Sequence, residues 1–356
     1  MSAAAATRRA AVIGTGLIGG SVGMALRQEG WHVAGSDQDP HRARTALELG
    51  AIDEVGDDAS AELTFVAVPV GSVARAAAAG LAAGGVVTDV GSVKAGVAAQ
   101  VDHPRFVGGH PMAGSEALGV EGARADLFQG AVWVLTPTAT TDPRAHALVH
   151  SVVRSFGADV ITLDPQQHDR VVATVSHVPH LTAAALMGLA ARRGESDATL
   201  LRLAAGGFRD MTRVAAGDPS MWLDICSDNS EAILDVLDEL IGSLSSLRNV
   251  VADGDAEELE SQLQRAHVAR RALPVSAPPP EQLAEVRVPI PDRAGEFAAI
   301  AALAGAHDIN VYDIEIAHHA GVPTGLLILV VSAERADELA GAVSATGRTA
   351  SVHELG

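Results

Sequence analysis

A chain of 356 residues has room for two or three domains, and 48% hydrophobic residues let it bury a sizeable core, which excludes general disorder. The formal net charge of -19 excludes general affinity for nucleic acid. An anionic substrate then needs a locally positive pocket, so each internal arginine matters.

The N-terminus, MSAAAATRRA, lacks the apolar stretch of a signal peptide, and no uninterrupted apolar run reaches membrane-spanning length, so a cytoplasmic location is expected. Residues 10–13 (AAVI) read as a short apolar strand. GTGLIGG follows at once, with Gly14, Gly16 and Gly19 in G-x-G-x-x-G spacing, and SVGMALRQEG continues as a helix. Gly14 suits the tight turn, Gly16 the close approach to a pyrophosphate, and Gly19 the packing of helix on sheet. Leu17 and Ile18 open the helix whose N-terminus faces the phosphates. WHVAGSD reads as a second strand ending near Asp37, whose carboxylate suits a ribose 2′-hydroxyl and favours NAD over NADP. Ser36, Arg42 and Arg44 lie close by and weigh against a strict preference.

LTFVAVPV (63–70) and GVVTDVGSVK (85–94) read as two more buried strands with helical sequence between them. This alternation predicts a parallel, doubly wound sheet, with ligands bound beyond the carboxyl ends of its strands. Pro69, Val70, Ser92 and Lys94 fall there. Ser92 is a candidate to orient an acid-base histidine, or else a helix N-cap; Lys94 reads as a solvated side chain. GGHPMAGSE (108–116) then places His110 in a glycine-rich turn, where Gly108, Gly109 and Gly114 let the backbone bend towards a ligand. His110 is the candidate acid-base residue of a redox site, against the alternative of a surface histidine. GAVWVLTPT (130–138), a helix PRAHALVHSVVRSFG and a strand ADVITL complete a first domain, 1–165.

Residues 166–273 carry apolar positions at helical spacing and predict an all-helical domain that pairs with a symmetry mate as a homodimer. In SHVPH, Ser176 and His180 are four apart, and Pro179 places the cluster at a helix start. The usual glutamate and histidine pair of a zinc site is missing, so no metal is expected. In GGFRDMTRVAAGDPSMW, Arg213 is placed to hold a carboxylate by two parallel hydrogen bonds, or else to pair with Asp210 or Asp218. Trp222 reads as core. The single cysteine, Cys226, excludes an intrachain disulfide and reads as a buried inert thiol. PVSAPPPE forms the heart of a stiff linker, 274–283, and the pattern restarts beyond it as βαββαβ over 284–356, a ferredoxin-like unit.

Taken together, GTGLIGGS, DVGSVK, GGHPMAGSE, LTPT, SHVPH and GGFRDMTR followed by DPSMW resemble the prephenate dehydrogenase family of tyrosine biosynthesis, along residues 10–270. DRAGE and INVYDIEI in the C-terminal unit resemble an ACT domain, a small amino-acid-binding module. The resemblance implies an NAD-dependent oxidative decarboxylation of prephenate to 4-hydroxyphenylpyruvate. It assigns the catalytic histidine to His110, the serine that orients histidine and substrate to Ser92, and the carboxylate-binding arginine to Arg213. It places Ser176 and His180 in the substrate pocket, with Glu116 and Trp222 lining or gating it. It also implies an aromatic amino acid as effector of the C-terminal unit.

Several readings stay open beside it. Arogenate differs from prephenate only by a side-chain amino group, and a 4-amino-4-deoxyprephenate dehydrogenase has the same signature. A β-hydroxyacid dehydrogenase shares the architecture but relies on a helical-region lysine that is missing at a suitable place. A non-catalytic sensor of NAD and amino acids is the reading from another class; intact His110, Ser92 and Arg213 argue against it.

Overall fold

The computed structural model describes residues 7–114, 119–195, 203–273, 282–291, 295–318 and 324–354, with positions 199 and 293 besides. The chain divides into two compact units, Met1–Ser245 and Ser246–Gly356. The first of these units holds the large sheet and the helices up to Ser245.

The first unit is built on an eight-stranded sheet: β1 (Arg9–Ile13), β2 (His32–Ser36), β3 (Glu54–Val55), β4 (Leu63–Val66), β5 (Val86–Asp89), β6 (Phe106–Pro111), β7 (Val132–Thr136) and β8 (Asp159–Thr162). Their spatial order is β3-β2-β1-β4-β5-β6-β7-β8. The fold is a Rossmann-like α/β sheet, but not a wholly parallel one. β6 runs parallel to β5 and antiparallel to β7, pairing His110 with Val134. His110 thus lies in a strand, not in the expected glycine-rich turn. β4 is shorter than predicted because Val70 already begins a helix (Val70–Ala83), with Pro69 just before it, and β5 ends early, at Asp89.

Several helix starts follow from one dipeptide. Asp39-Pro40, Asp142-Pro143 and Asp164-Pro165 each place an aspartate at the N-cap and proline at the first helical position. The carboxylates accept from His41 N, Arg144 N, and Gln166 and Gln167 N, contributing about 1 kcal/mol per cap. Beneath the sheet an aromatic cluster fills the core. Phe128 and Trp133 meet edge to face at 4.9 Å, and Phe65 and Phe156 close around them. Burying each such side chain is worth roughly 1.5–3 kcal/mol.

The helical segment opens with Pro165–Val172, passes through a π-helical turn at Ala173–His177, and continues as Val178–Gly194. Pro179 therefore sits inside one thirty-residue helix and not at a helix start. The widened turn just ahead of it accommodates a residue that has no N–H and crowds the preceding carbonyls. By length and composition alone this helix could cross a membrane. Within the unit it buries His168, Asp169, His177 and His180. Gly206–Thr212, a 3-10 turn Arg213–Ala216, Pro219–Asp228 and Ser230–Asp253 follow. Cys226 is half-buried against the small cluster of Ala173, Val178 and Ile233.

In the second unit β9 (Leu283–Pro291), a helix Glu296–Ala306, β10 (Val311–His318), β11 (Thr324–Ser332), a helix Ala333–Ala345 and β12 (Ser351–Glu354) follow the βαββαβ order. The four strands form an antiparallel sheet ordered β10-β11-β9-β12, over a core that includes Val286, Val288, Ile300, Leu327, Leu329 and Leu339. Ala256–Arg271 is a helix of the same unit. Of the predicted linker, residues 274–281 lie outside the described residues.

Candidate active site

Everything at the site turns on how the loop after β5 is held. Asp89 ends β5 with no exposed surface, and its carboxylate accepts hydrogen bonds from Gly91 N at 2.9 Å and Gly109 N at 3.1 Å. Nζ of Lys94 donates to the same carboxylate, and both side chains are buried. Lys94 is therefore a buried ion-pair partner, not the solvated side chain expected. Burial pushes its ammonium below the usual lysine range, while Asp89 and Asp169 pull it back.

This packing explains the two glycines before His110. A Cβ on Gly109 would lie 2.7 Å from the Asp89 carbonyl oxygen, and one on Gly108 would lie 2.3 Å from Thr136 Oγ1. They make room for packed protein; the expected approach to a ligand is not their task. Gly114 faces open space.

Asp169 joins the thirty-residue helix to this loop. Its Oδ1 accepts from Lys94 N and its Oδ2 from Ala95 N, both at 2.8 Å. The short helix Ala95–Gln100 is thus capped by a carboxylate from another helix. The neighbouring His168 is fully buried; its Nδ1 lies 2.7 Å from Asp169 Oδ1 and its Nε2 2.9 Å from Nδ1 of His110. A carboxylate only accepts, so Nδ1 of His168 donates to it. Nε2 of His168 then carries the lone pair, and His110 donates its Nδ1–H there. The basic nitrogen of the half-buried His110 is consequently Nε2. Burial above all, with the nearby Lys94 ammonium adding to it, holds its pKa well below the ordinary histidine value. At neutral pH it is an unprotonated base.

Ser92 is half-buried in the same loop but makes no hydrogen bond to His110; the orienting contact expected of it comes from His168. Ser176 is half-buried in the π-helical turn. His180 stacks on Trp222, with ring centroids 3.5 Å apart and planes 11° apart. Gly217 lies against both rings; a Cβ there would come 3.2 Å from His180 Cε1 and 3.3 Å from Trp222 Nε1. Trp222 is only partly buried and partners another candidate, so it is more than core filling. Arg213 is exposed on the turn Arg213–Ala216, which packs against the helix carrying His180. Glu116 lies outside the described residues.

At the same carboxyl edge of the sheet, just beyond β1, Gly14 adopts φ +94°, and a Cβ there would lie 2.2 Å from the Ala67 carbonyl oxygen. Nothing stands within 4 Å of a Cβ on Gly16, so the start of the helix Leu17–Gln28 is open to a ligand. Pro69 precedes the neighbouring helix Val70–Ala83. Asp37 accepts from Thr15 N and Asp39 N, both at 2.9 Å, which aims its carboxylate beside the glycine turn with lone pairs to spare.

Asp89, His168, Asp169, His177 and Asn229 escaped the sequence reading. Asn229 Nδ2 donates to the Asp169 carbonyl at 2.9 Å and lies 3.1 Å from His177 Nδ1. The available signals were an acid ending an apolar strand, TDV, and the adjacent pair in QQHDR. Among the described residues no cluster of three or more metal-ligating side chains occurs.

Comparison with known proteins adds identity to this geometry. Residues 22–162 match the model of the prephenate dehydrogenase nucleotide-binding domain, and residues 164–265 match that of the prephenate dehydrogenase dimerization domain. The chain is 35% identical over 322 residues to prephenate dehydrogenase of Bacillus subtilis, covering 85% of this chain and 86% of that one. It is 37% identical over 281 residues to cyclohexadienyl dehydrogenase of Zymomonas mobilis, covering 74% and 95%. The crystal structure of Aquifex aeolicus prephenate dehydrogenase, in complex with hydroxyphenyl propionate and NAD+, superposes with a TM-score of 0.70 at 32% identity, over 76% of this chain and 99% of that one. Arogenate dehydrogenase of Synechocystis superposes with a TM-score of 0.64 at 32% identity, over 74% and 98%. On this footing, the chain belongs to the prephenate dehydrogenase family.

Proposed function

We propose that the chain is an NAD-dependent prephenate dehydrogenase, converting prephenate to 4-hydroxyphenylpyruvate and CO2. The observation that carries this reading is the 2.9 Å contact of His110 Nδ1 with His168 Nε2, whose Nδ1 in turn lies on the Asp169 carboxylate; this chain occupies Nδ1 of His110 and leaves its Nε2 for the substrate. A base of that kind draws the proton from the substrate ring hydroxyl. NAD, when bound, supplies the acceptor for the hydride that leaves the same carbon. The open Gly16, the helix start at Leu17 and Ile18, Gly14, Gly19, Pro69 and the Asp37 carboxylate fit such a dinucleotide, with Asp37 towards a ribose hydroxyl.

Arg213 supplies the focused positive charge that a chain of net charge -19 needs to hold a dianion. Ser92, Ser176, His180 and Trp222 line the substrate side, and Glu116 is assigned there by resemblance. The helix Ser230–Asp253 exposes Leu234, Ile241 and Leu244, an apolar stripe that supports pairing with a second copy. A cytoplasmic location goes with this activity. The βαββαβ unit supports an ACT-like role with an aromatic amino acid as effector, through a differential affinity between two states.

Arogenate is the substrate against which prephenate must be tested. NADH formation with each, at matched concentrations, is the deciding assay. A kcat/KM for prephenate at least about tenfold above that for arogenate is expected; the reverse ratio makes this an arogenate dehydrogenase, and no NADH with either overturns the reading.

A further inference from the structure

Behind His110 lies a second imidazole and carboxylate that the reaction as written leaves idle. His168 is fully buried, and the Asp169 carboxylate beside it is fixed by two backbone N–H groups. Burying a carboxylate with an imidazole beside it is costly unless something is gained. A cap for the short helix Ala95–Gln100 needs only the aspartate. The histidine is placed with one nitrogen on Asp169 and the other on His110. The charged and titratable groups around the pair are Asp89 at the end of β5, Lys94 from the loop after it, His110 from β6, and His177 at the end of the π-helical turn in the same helix. Lys94 is already paired with Asp89, which leaves Asp169 as the carboxylate available to the two imidazoles.

We propose that His168 and Asp169 are a positioning pair that fixes the tautomer of His110 and receives the positive charge produced when His110 accepts the substrate proton. The proposal rests on the dehydrogenase reading above. In the step, the substrate O–H bond breaks and its electron pair becomes the second bond of C=O as hydride leaves that carbon for the nicotinamide. The proton binds Nε2 of His110. The Nδ1 proton of His110 passes to Nε2 of His168, and the resulting imidazolium stays hydrogen-bonded to Asp169. The charge thereby moves from a site hostile to cations to one with a fixed counter-charge, which makes a weakly basic imidazole an effective base.

The test is His168→Gln in the full-length protein, assayed with NAD and whichever of prephenate or arogenate the parent chain oxidises. Glutamine Oε1 still accepts from His110 Nδ1 but takes up no proton. Turnover should fall about 10- to 100-fold, while KM and the Kd for NAD stay within about twofold. Parental turnover, or a loss confined to KM or NAD affinity, overturns the pair. If the parent chain oxidises neither substrate, the dehydrogenase reading itself has failed. A second measurement needs no folded variant: histidine 15N shifts of the parent protein at about pH 8. Protonation of His110 on Nδ1 and of His168 on Nδ1 is expected, and a His110 protonated on Nε2 overturns the assignment.

Discussion

Nδ1 of His110 lies 2.9 Å from Nε2 of His168, with the ring planes 69° apart. That edge-on approach aims one N–H at one lone pair and leaves the far nitrogen of His110 as the base. His110→Asn removes the base and keeps a polar side chain of similar reach. Turnover should fall about 10²- to 10⁴-fold with NAD affinity unchanged. Steady-state rates beside a titration with NAD check this, and near-parental turnover would remove His110 from the chemistry.

Arg213 sits on the turn that packs against the helix carrying His180, whose ring stacks on Trp222. Arg213→Ala should raise KM for the substrate about tenfold or more, consistent with a lost charge-assisted hydrogen bond, and leave the Kd for NAD within about twofold. Equal losses in both would point to a collapsed fold, so the circular dichroism melt is recorded alongside.

How far the sequence carried the site depends on where each residue's partner lies. The glycine turn was legible because its cause is local: a φ of +94° at Gly14, next to the strand that precedes it. His110 was legible as a residue type but not as a strand residue. Gly108 and Gly109 read as a bend, whereas they are small because Thr136, Asp89 and Lys94 crowd them from other strands and loops. Lys94 read as solvated because its counter-ion is recognisable only once β5 and the loop after it are folded. His168 and Asp169 were invisible as partners of a loop some seventy residues away until the helix docked there.

The Lys94–Asp89 pair makes a stability prediction. Lys94→Met leaves the Asp89 carboxylate buried with only the N–H groups of Gly91 and Gly109. Breaking a buried pair from one side costs about 3–5 kcal/mol. Urea unfolding should show a loss of that order, and the double variant with Asp89→Asn should recover part of it. A double variant as unstable as the summed single variants would mean that the two side chains do not act as a pair.

The buried histidines set a pH dependence with a definite sign. Burial lowers the His177 imidazole from 6.5 to about 4, with Asp169 opposing and His168 reinforcing the shift, and His110 is lowered in the same direction. Between these values the unfolded chain binds a proton that the folded chain refuses. Stability contributed by neutral His177 is therefore complete above about pH 6.5 and drains away as the pH falls towards 4, by up to about 3 kcal/mol. His177→Gln keeps an amide within reach of Asn229 but has nothing to titrate. Its urea midpoint should fall less than the parent's between about pH 7.5 and about pH 5. Parallel losses in the two proteins would show that carboxylates alone govern the acid limb.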